Sequence, residues 1–164
     1  MENNIQKIIP NLWFNGNAKE AVDFYVSGWV QDTYNVSWQL ILNKPEGDWR
    51  PKVMPSLLFT QDKNGKAEEA IAFYTSVFKD AKTGQLVRRT EDNPMAKAST
   101  LAFGDFAVEN TWIAAMDGGQ GHEFKFNEGV SLLISCKDQG EIDYYWEKLT
   151  ADGGEESVCG WLKG

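Results

Sequence analysis

Apolar residues follow two rhythms along this chain. Ala18, Ala21, Val22 and Tyr25 keep the i, i+3, i+4, i+7 spacing of one helix face, and Ala67, Ala70, Ile71, Tyr74, Val77 and Phe78 repeat it. A short apolar run precedes each stripe, Ile8 to Phe14 and Val53 to Phe59, and each reads as a strand. Pro10 places the first of these at an edge or a strand start. An Asn-Gly pair before each stripe is a turn and helix-entry signal.

Between the two copies, Val36 to Leu42 is strongly strand-forming, and Asn43 to Pro51, rich in Pro, Gly and charge, reads as a linker. Strand patterns follow at Gly84 to Thr90, Ser99 to Val108 and Thr111 to Asp117. Gly104-Asp105 has the better hairpin composition but would leave very short strands, so Glu109-Asn110 is the expected turn. Val130 to Cys136 reads as a further strand. Glu141 to Leu149 reads as a helix with Ile142, Tyr145, Trp146 and Leu149 on one side, closed by Asp152-Gly153-Gly154. From residue 53 the order is therefore β-α-β-β-β, then β-α and the start of a last strand. Helices alternate with antiparallel hairpins, so the fold class is α+β and a doubly wound sheet is excluded.

The patterns also repeat in letter. NGNAKEAVDFYVS (15–27) recurs as NGKAEEAIAFYTS (64–76) with eight of thirteen positions identical, and Pro-x-Leu-x-Phe precedes each copy. Gly28-Trp29-Val30-Gln31 is echoed by Gly160-Trp161-Leu162-Lys163. In the second unit 83 residues separate Ser76 from Gly160, whereas Ser27 touches Gly28 directly. The chain thus reads as the two ends of one unit (1–50) followed by a nearly whole one (51–164), together forming one structural domain.

Composition narrows the function classes. At 164 residues, 42% hydrophobic and 13% aromatic with seven Trp, the chain can bury a sizeable core. A net charge of −8 and a pI near 4.7 oppose binding to nucleic acid or anionic membrane. The start of the sequence has no signal-peptide core, and no run approaches the ~18 apolar residues of a membrane span, so a cytoplasmic location is expected. Cys136 and Cys159 are far apart and read as two free thiols.

The strings LWFNGNAKEAVDFYVS, AEEAIAFYTSVF, FNEGVSLLISCKDQGEIDYYWEKL and the Gly-Trp ending followed by VSWQL resemble the PhnB-like family. That family belongs to the glyoxalase/bleomycin-resistance/dioxygenase (vicinal oxygen chelate) superfamily and is often labelled demethylubiquinone methyltransferase-like. The resemblance implies βαβββ modules whose mixed, antiparallel-rich sheets curl into a cup, commonly completed in a dimer. It also exposes a departure: the second unit reaches Gly164 before a VSWQ strand of its own. Val36 to Leu42 is therefore expected to supply the last strand to the sheet of residues 53–160, within one chain or across a strand-swapped homodimer.

Candidate chemistry is sparse. Relatives of this fold often hold a divalent ion with His and Glu, but this chain has a single His, His122, and Leu12, Trp13, Leu57 and Leu58 stand at the expected ligand positions. Glu109, Asp117, Glu123 and Glu128 sit at expected turns or loops, so no metal is expected. His122 is a weak general-base candidate beside Glu123. A methyl donor such as S-adenosylmethionine calls for a glycine-rich strand-to-helix turn. The run Asp117 to Gly121 leads instead into a polar loop and a Phe-x-Phe segment, so no cofactor is expected. Ser131, Ser135, Cys136 and Cys159 have no His in a recognisable nucleophile pattern. The abundant aromatics are the best remaining signal. Trp13, Trp38, Gln39, Phe59, Phe103, Trp112, Met116 and His122 are the expected lining of a site for a small planar or apolar molecule. Two functions remain open: a binding or sequestering module, or an enzyme acting on a quinone-like substrate, as the family label suggests.

Overall fold

The computed structural model describes residues 27–41, 49–94, 96–127, 129–157 and 160–163. The expected strand Ile8 to Phe14, the helix through Ala18 and Tyr25, Cys159 and most of the Asn43 to Pro51 linker lie outside these residues. The chain divides into two compact units, Met1–Trp49 and Arg50–Gly164.

The described part of the first unit is a hairpin. Strand β1 (Ser27–Gln31) pairs antiparallel with β2 (Ser37–Ile41), with Trp29 opposite Gln39 and Val30 opposite Trp38. Asp32 organises the turn. Its carboxylate accepts hydrogen bonds from the Trp38 indole at 2.9 Å and from the backbone N–H groups of Tyr34 (2.9 Å) and Val36 (3.0 Å). Those donors, the Trp38 indole foremost, hold the Asp32 carboxyl below the usual carboxylate range. Asn35 takes the left-handed conformation (φ 63°), which its short polar side chain tolerates.

The second unit begins with β3 (Ser56–Thr60), then a 3-10 turn, then α1 (Ala67–Val77). Three strands follow: β4 (Ala81–Arg88), β5 (Leu101–Val108) and β6 (Thr111–Gly119). The expected β-α-β-β-β order is thus present. The sheet runs β3-β6-β5-β4, with β3 parallel to β6 and the other neighbours antiparallel. Glu109 and Asn110, both at positive φ (45° and 64°), form the primed two-residue turn that matches strand twist. The rival turn, Gly104-Asp105, lies inside β5.

The apolar stripe of α1 makes the core. Ala67 and Ile71 pack with Phe59, Leu101, Phe106, Val108, Ile113 and Ala115, and Tyr74 stacks on Phe106 with ring centres 5.9 Å apart. Burial of this stripe supplies most of the helix's stability, since an 11-residue helix is marginal alone. Asp117 fastens the far end. Its Oδ1 accepts from the N–H groups of Gly65 (2.8 Å) and Ala67 (3.2 Å) at the start of α1, and its Oδ2 from Leu101 N–H at 2.8 Å.

Beyond the sheet come α2 (Gln139–Thr150), a 3-10 turn, and the short pair β7 (Glu155–Glu156) and β8 (Leu162–Lys163). Asp138 caps α2, accepting from Glu141 N–H at 2.9 Å. Tyr144 donates to the carbonyl of Val77 at 2.7 Å, and Tyr145 packs on Phe78 at 5.0 Å.

One expectation is corrected. Residues 131–136 form no strand, and among the described residues no strand pairs with them. Among the described residues β2 takes β1 as its neighbour, and the four-stranded sheet is open, with β3 and β4 as its edges. A hairpin joined by a short turn forms its own ladder at little loop-closure cost, which explains the preference. No helix among the described residues is long and apolar enough to cross a membrane.

Candidate functional site

Strand alternation sorts the side chains of the four-stranded sheet onto two faces. One carries Phe59, Phe106, Ile113 and Ala115 under α1. The opposite face carries a row that crosses all four strands. Leu58 on β3 is level with Met116 on β6, and Val87 on β4 is level with Phe103 on β5. The pairing of Gly104 with Ala115 brings Phe103 alongside Met116 and closes the row. Met116 is buried, Leu58 and Phe103 are half-buried, and Val87 is exposed.

His122 stands at the β3–β6 end of this row. A side chain added at Gly118 would meet the His122 ring at 3.1 Å and Leu58 at 3.1 Å, so the glycine is what lets the ring lie against the sheet. The imidazole packs on Phe124 with ring centres 4.9 Å apart. Thr60 Oγ1 donates to the Phe124 carbonyl at 2.6 Å and Gln61 Nε2 to the Glu123 carbonyl at 2.6 Å, which pins the loop to β3. Among the described residues no carboxylate orients the ring, so the geometry lacks the partner that a general base normally has.

Toward the other end of the face lies an ionic cluster. Asp105 is buried in the middle of β5 and accepts from Arg50 Nε at 2.7 Å, from Arg50 Nη2 at 3.4 Å and from Gln85 N–H at 2.6 Å. The Arg50 guanidinium lies 3.4 Å above the Trp112 ring, and the Lys82 ammonium stands 5.0 Å from the same ring. Gly84 leaves the room for this arrangement, because a Cβ there would fall 2.0 Å from Asp105 Oδ1.

Phe103, Trp112, Met116 and His122 share the face opposite α1. Phe59 belongs to the core under α1 and meets Phe126 edge-on at 5.1 Å. Trp38 and Gln39 lie on β2 in the first unit, where the Trp38 indole is engaged by Asp32. Trp13 lies outside the described residues. Sequence reasoning missed Arg50, Lys82 and Asp105. The signal was present in LAFGDFAV: a single acidic residue inside an apolar strand must be buried or exposed, and when buried it demands a cation.

Among the described residues no three His, Cys, Asp or Glu side chains gather closely enough to hold a metal ion. Cys136 is a free thiol whose pKa is raised by desolvation and by the nearby Glu141 and Asp138 carboxylates, the wrong direction for a nucleophile. A separate cleft of about 280 Å³, lined by Lys79, Lys137, Asp138, Glu141, Tyr144 and Tyr145, opens between the end of α1 and the start of α2. Its lining is charged and it shares no residue with the apolar row.

A solved structure similar to this chain is that of a Bacillus cereus PhnB protein carrying the provisional description 3-demethylubiquinone-9 3-methyltransferase. The two are 31% identical over 62% of this chain and 75% of that one, with a TM-score of 0.55. Proteins from Staphylococcus aureus (25% identity, 64% and 71% covered, TM-score 0.34) and Pseudomonas aeruginosa (18%, 65% and 76%, 0.40) superpose too loosely to add to this. No curated protein matches the chain. The family model described as 3-demethylubiquinone-9 3-methyltransferase matches residues 51–164, well over half of the sequence. With β3-α1-β4-β5-β6 falling wholly inside that match, the chain belongs to this PhnB-like family.

Proposed function

We propose that this protein binds a small planar, largely apolar molecule on the sheet face opposite α1. The observation that carries the reading is the row Leu58–Met116–Phe103–Val87, an unbroken apolar strip from one sheet edge to the other. Met116 is a polarisable floor that adapts to a ring, and Phe103 offers an aromatic contact. His122 at one end and the Arg50–Asp105 pair beyond the row supply polar groups that fix orientation. Trp112 acts beneath Arg50, holding the guanidinium by its ring face. The reading calls for no metal ligand. A cytoplasmic location fits the reading, since a free Cys136 thiol is at home there.

The family's description supports a second reading, an enzyme acting on a quinone-like substrate with a methyl donor. The residues described here do not fit such a donor. The strand-to-helix turn of β3–α1 has the N–H groups of Gly65 and Ala67 already bonded to Asp117, so it presents no open cradle.

The test is calorimetric titration with 1,4-naphthoquinone and, separately, with S-adenosylmethionine. The binding reading expects saturable quinone binding that Phe103→Glu weakens by at least about tenfold, roughly 1.4 kcal/mol, and no heat from the methyl donor. Quinone binding unaffected by Phe103→Glu would move the ligand off this face. Saturable binding of the methyl donor would favour the transferase.

A further inference from the structure

The Asn64-Gly65 step that leads into α1 is a turn signal, and it is also a reactive pair. Asn-Gly deamidates spontaneously because glycine, with no Cβ, lets its nitrogen reach the asparagine side chain. The Gly65 nitrogen attacks Asn64 Cγ, the N–Cγ bond forms, and Nδ2 departs as ammonia carrying the Gly65 proton. That closes a succinimide ring. Water then adds to one of the two ring carbonyls. Breaking the new N–Cγ bond leaves aspartate. Breaking the original peptide C–N bond leaves isoaspartate, whose main chain runs through Cβ and Cγ.

In the folded chain both reacting groups are held apart. Gly65 N–H donates to Asp117 Oδ1 at 2.8 Å, and Asn64 Oδ1 accepts from Gly119 N–H at 2.8 Å. The Asn64 N–H donates to the Gln61 carbonyl at 3.2 Å. Asn64 is extended, with φ −62° and ψ 133°, which turns the Gly65 nitrogen away from Cβ. Ring closure needs rotation about the Asn64 Cα–C bond, and that rotation carries the Gly65 N–H off Asp117. Water is at hand throughout: Gly65 is exposed, Asn64 is half-buried, and a Cβ placed on Gly65 would meet nothing within 4 Å. Geometry alone protects the step.

We propose that Asn64 is a deamidation site guarded by Asp117 and Gly119, and that its conversion to isoaspartate unlatches α1. The step reacts only when the β3–α1 turn opens, so its rate counts those openings. Isoaspartate makes the main chain one atom longer ahead of Gly65 and draws the Cγ carbonyl into it. The Gly65 N–H then leaves Asp117, and Gly119 N–H loses its acceptor. The aspartate product keeps the original main chain and an acceptor oxygen for Gly119. None of this depends on a ligand.

Peptide mapping by mass spectrometry follows Asn64 in the full chain at neutral pH, in buffer and in guanidinium chloride, alongside hydrogen exchange at the Gly65 amide. Deamidation is expected to be at least about tenfold slower in buffer, a protection of roughly 1.4 kcal/mol, with slow Gly65 exchange despite its exposure. A folded Asp117→Ala variant should lose most of that protection. If that variant does not fold, the wild-type rates and the Gly65 exchange decide. Equal rates in buffer and denaturant, a faster rate in buffer, a freely exchanging Gly65 amide, or a folded Asp117→Ala variant that stays protected would each overturn the guard. The isoaspartate product, separated by chromatography and returned to buffer, should unfold at lower denaturant than both the unmodified chain and Asn64→Asp, or fail to refold. An unfolding midpoint equal to that of the unmodified chain would overturn the unlatching.

Discussion

Replacing Asp117 by alanine is expected to destabilise the second unit more than its position at a strand end suggests. The carboxylate is 2% exposed and joins three elements, taking the N–H groups of Gly65 and Ala67 at the head of α1 and of Leu101 at the head of β5. Alanine strands all three donors. Those of Ala67 and Leu101 sit at buried residues, and each costs about 1–3 kcal/mol when unmet. Gly65 is exposed, and its N–H can turn to water. Loss of the cap on α1 is included in these terms, and release of a buried carboxylate offsets part of the total. The net expectation is about 3–4 kcal/mol, or on the order of 10 °C in Tm for a unit of this size. Asp117→Asn keeps one acceptor oxygen and sets an NH₂ group against the remaining donor, so its loss should fall between alanine and wild type. Urea unfolding followed by circular dichroism measures both, with m unchanged if only stability has moved. A loss under about 1 kcal/mol for alanine would refute the wiring described here.

Other outcomes follow from the same geometry. Gly84→Ala puts a methyl 2.0 Å from Asp105 Oδ1 and 2.9 Å from Arg50 Nη2, so it should break the buried pair, cost about 3–5 kcal/mol and change the Trp fluorescence; unchanged melting would contradict that packing. Ile71→Ala opens a cavity among Phe106, Leu101 and Ile113 and should cost about 2–5 kcal/mol by chemical denaturation. The Tyr145 hydroxyl is pushed up to about 12, first by burial and then by the Glu109 carboxylate 3.3 Å away. A raised folded value means a stability contribution that is whole below pH 10 and is lost as pH rises from 10 toward 12. Absorbance titration at high pH should therefore show a late phenol that Tyr145→Phe removes, and its absence would remove the burial argument.

The order of elements from residue 53 was legible from periodicity alone, because α1 and the strands β3 to β6 each bury one face and the burial imprints its period on the letters. The turn at Glu109-Asn110 was legible for a related reason: only that position leaves strands long enough to make a ladder. The candidate site's face was legible only by residue type. Phe103, Trp112 and Met116 could be nominated by type, but alternation does not say which face is buried under a helix, and Phe59 fell on the other side. Asp105 was placed in a strand without a role, since its partner Arg50 is 55 positions away and no local pattern announces the pair. The segment Val130 to Cys136 shows the limit most plainly. Its letters favour a strand, yet a strand needs a neighbour to bond with, and whether one stands beside it is decided by tertiary structure. Local sequence determined which segments can form ladders; only the folded chain decided which of them are paired, because hydrogen-bond partners across a sheet are chosen by distance in space.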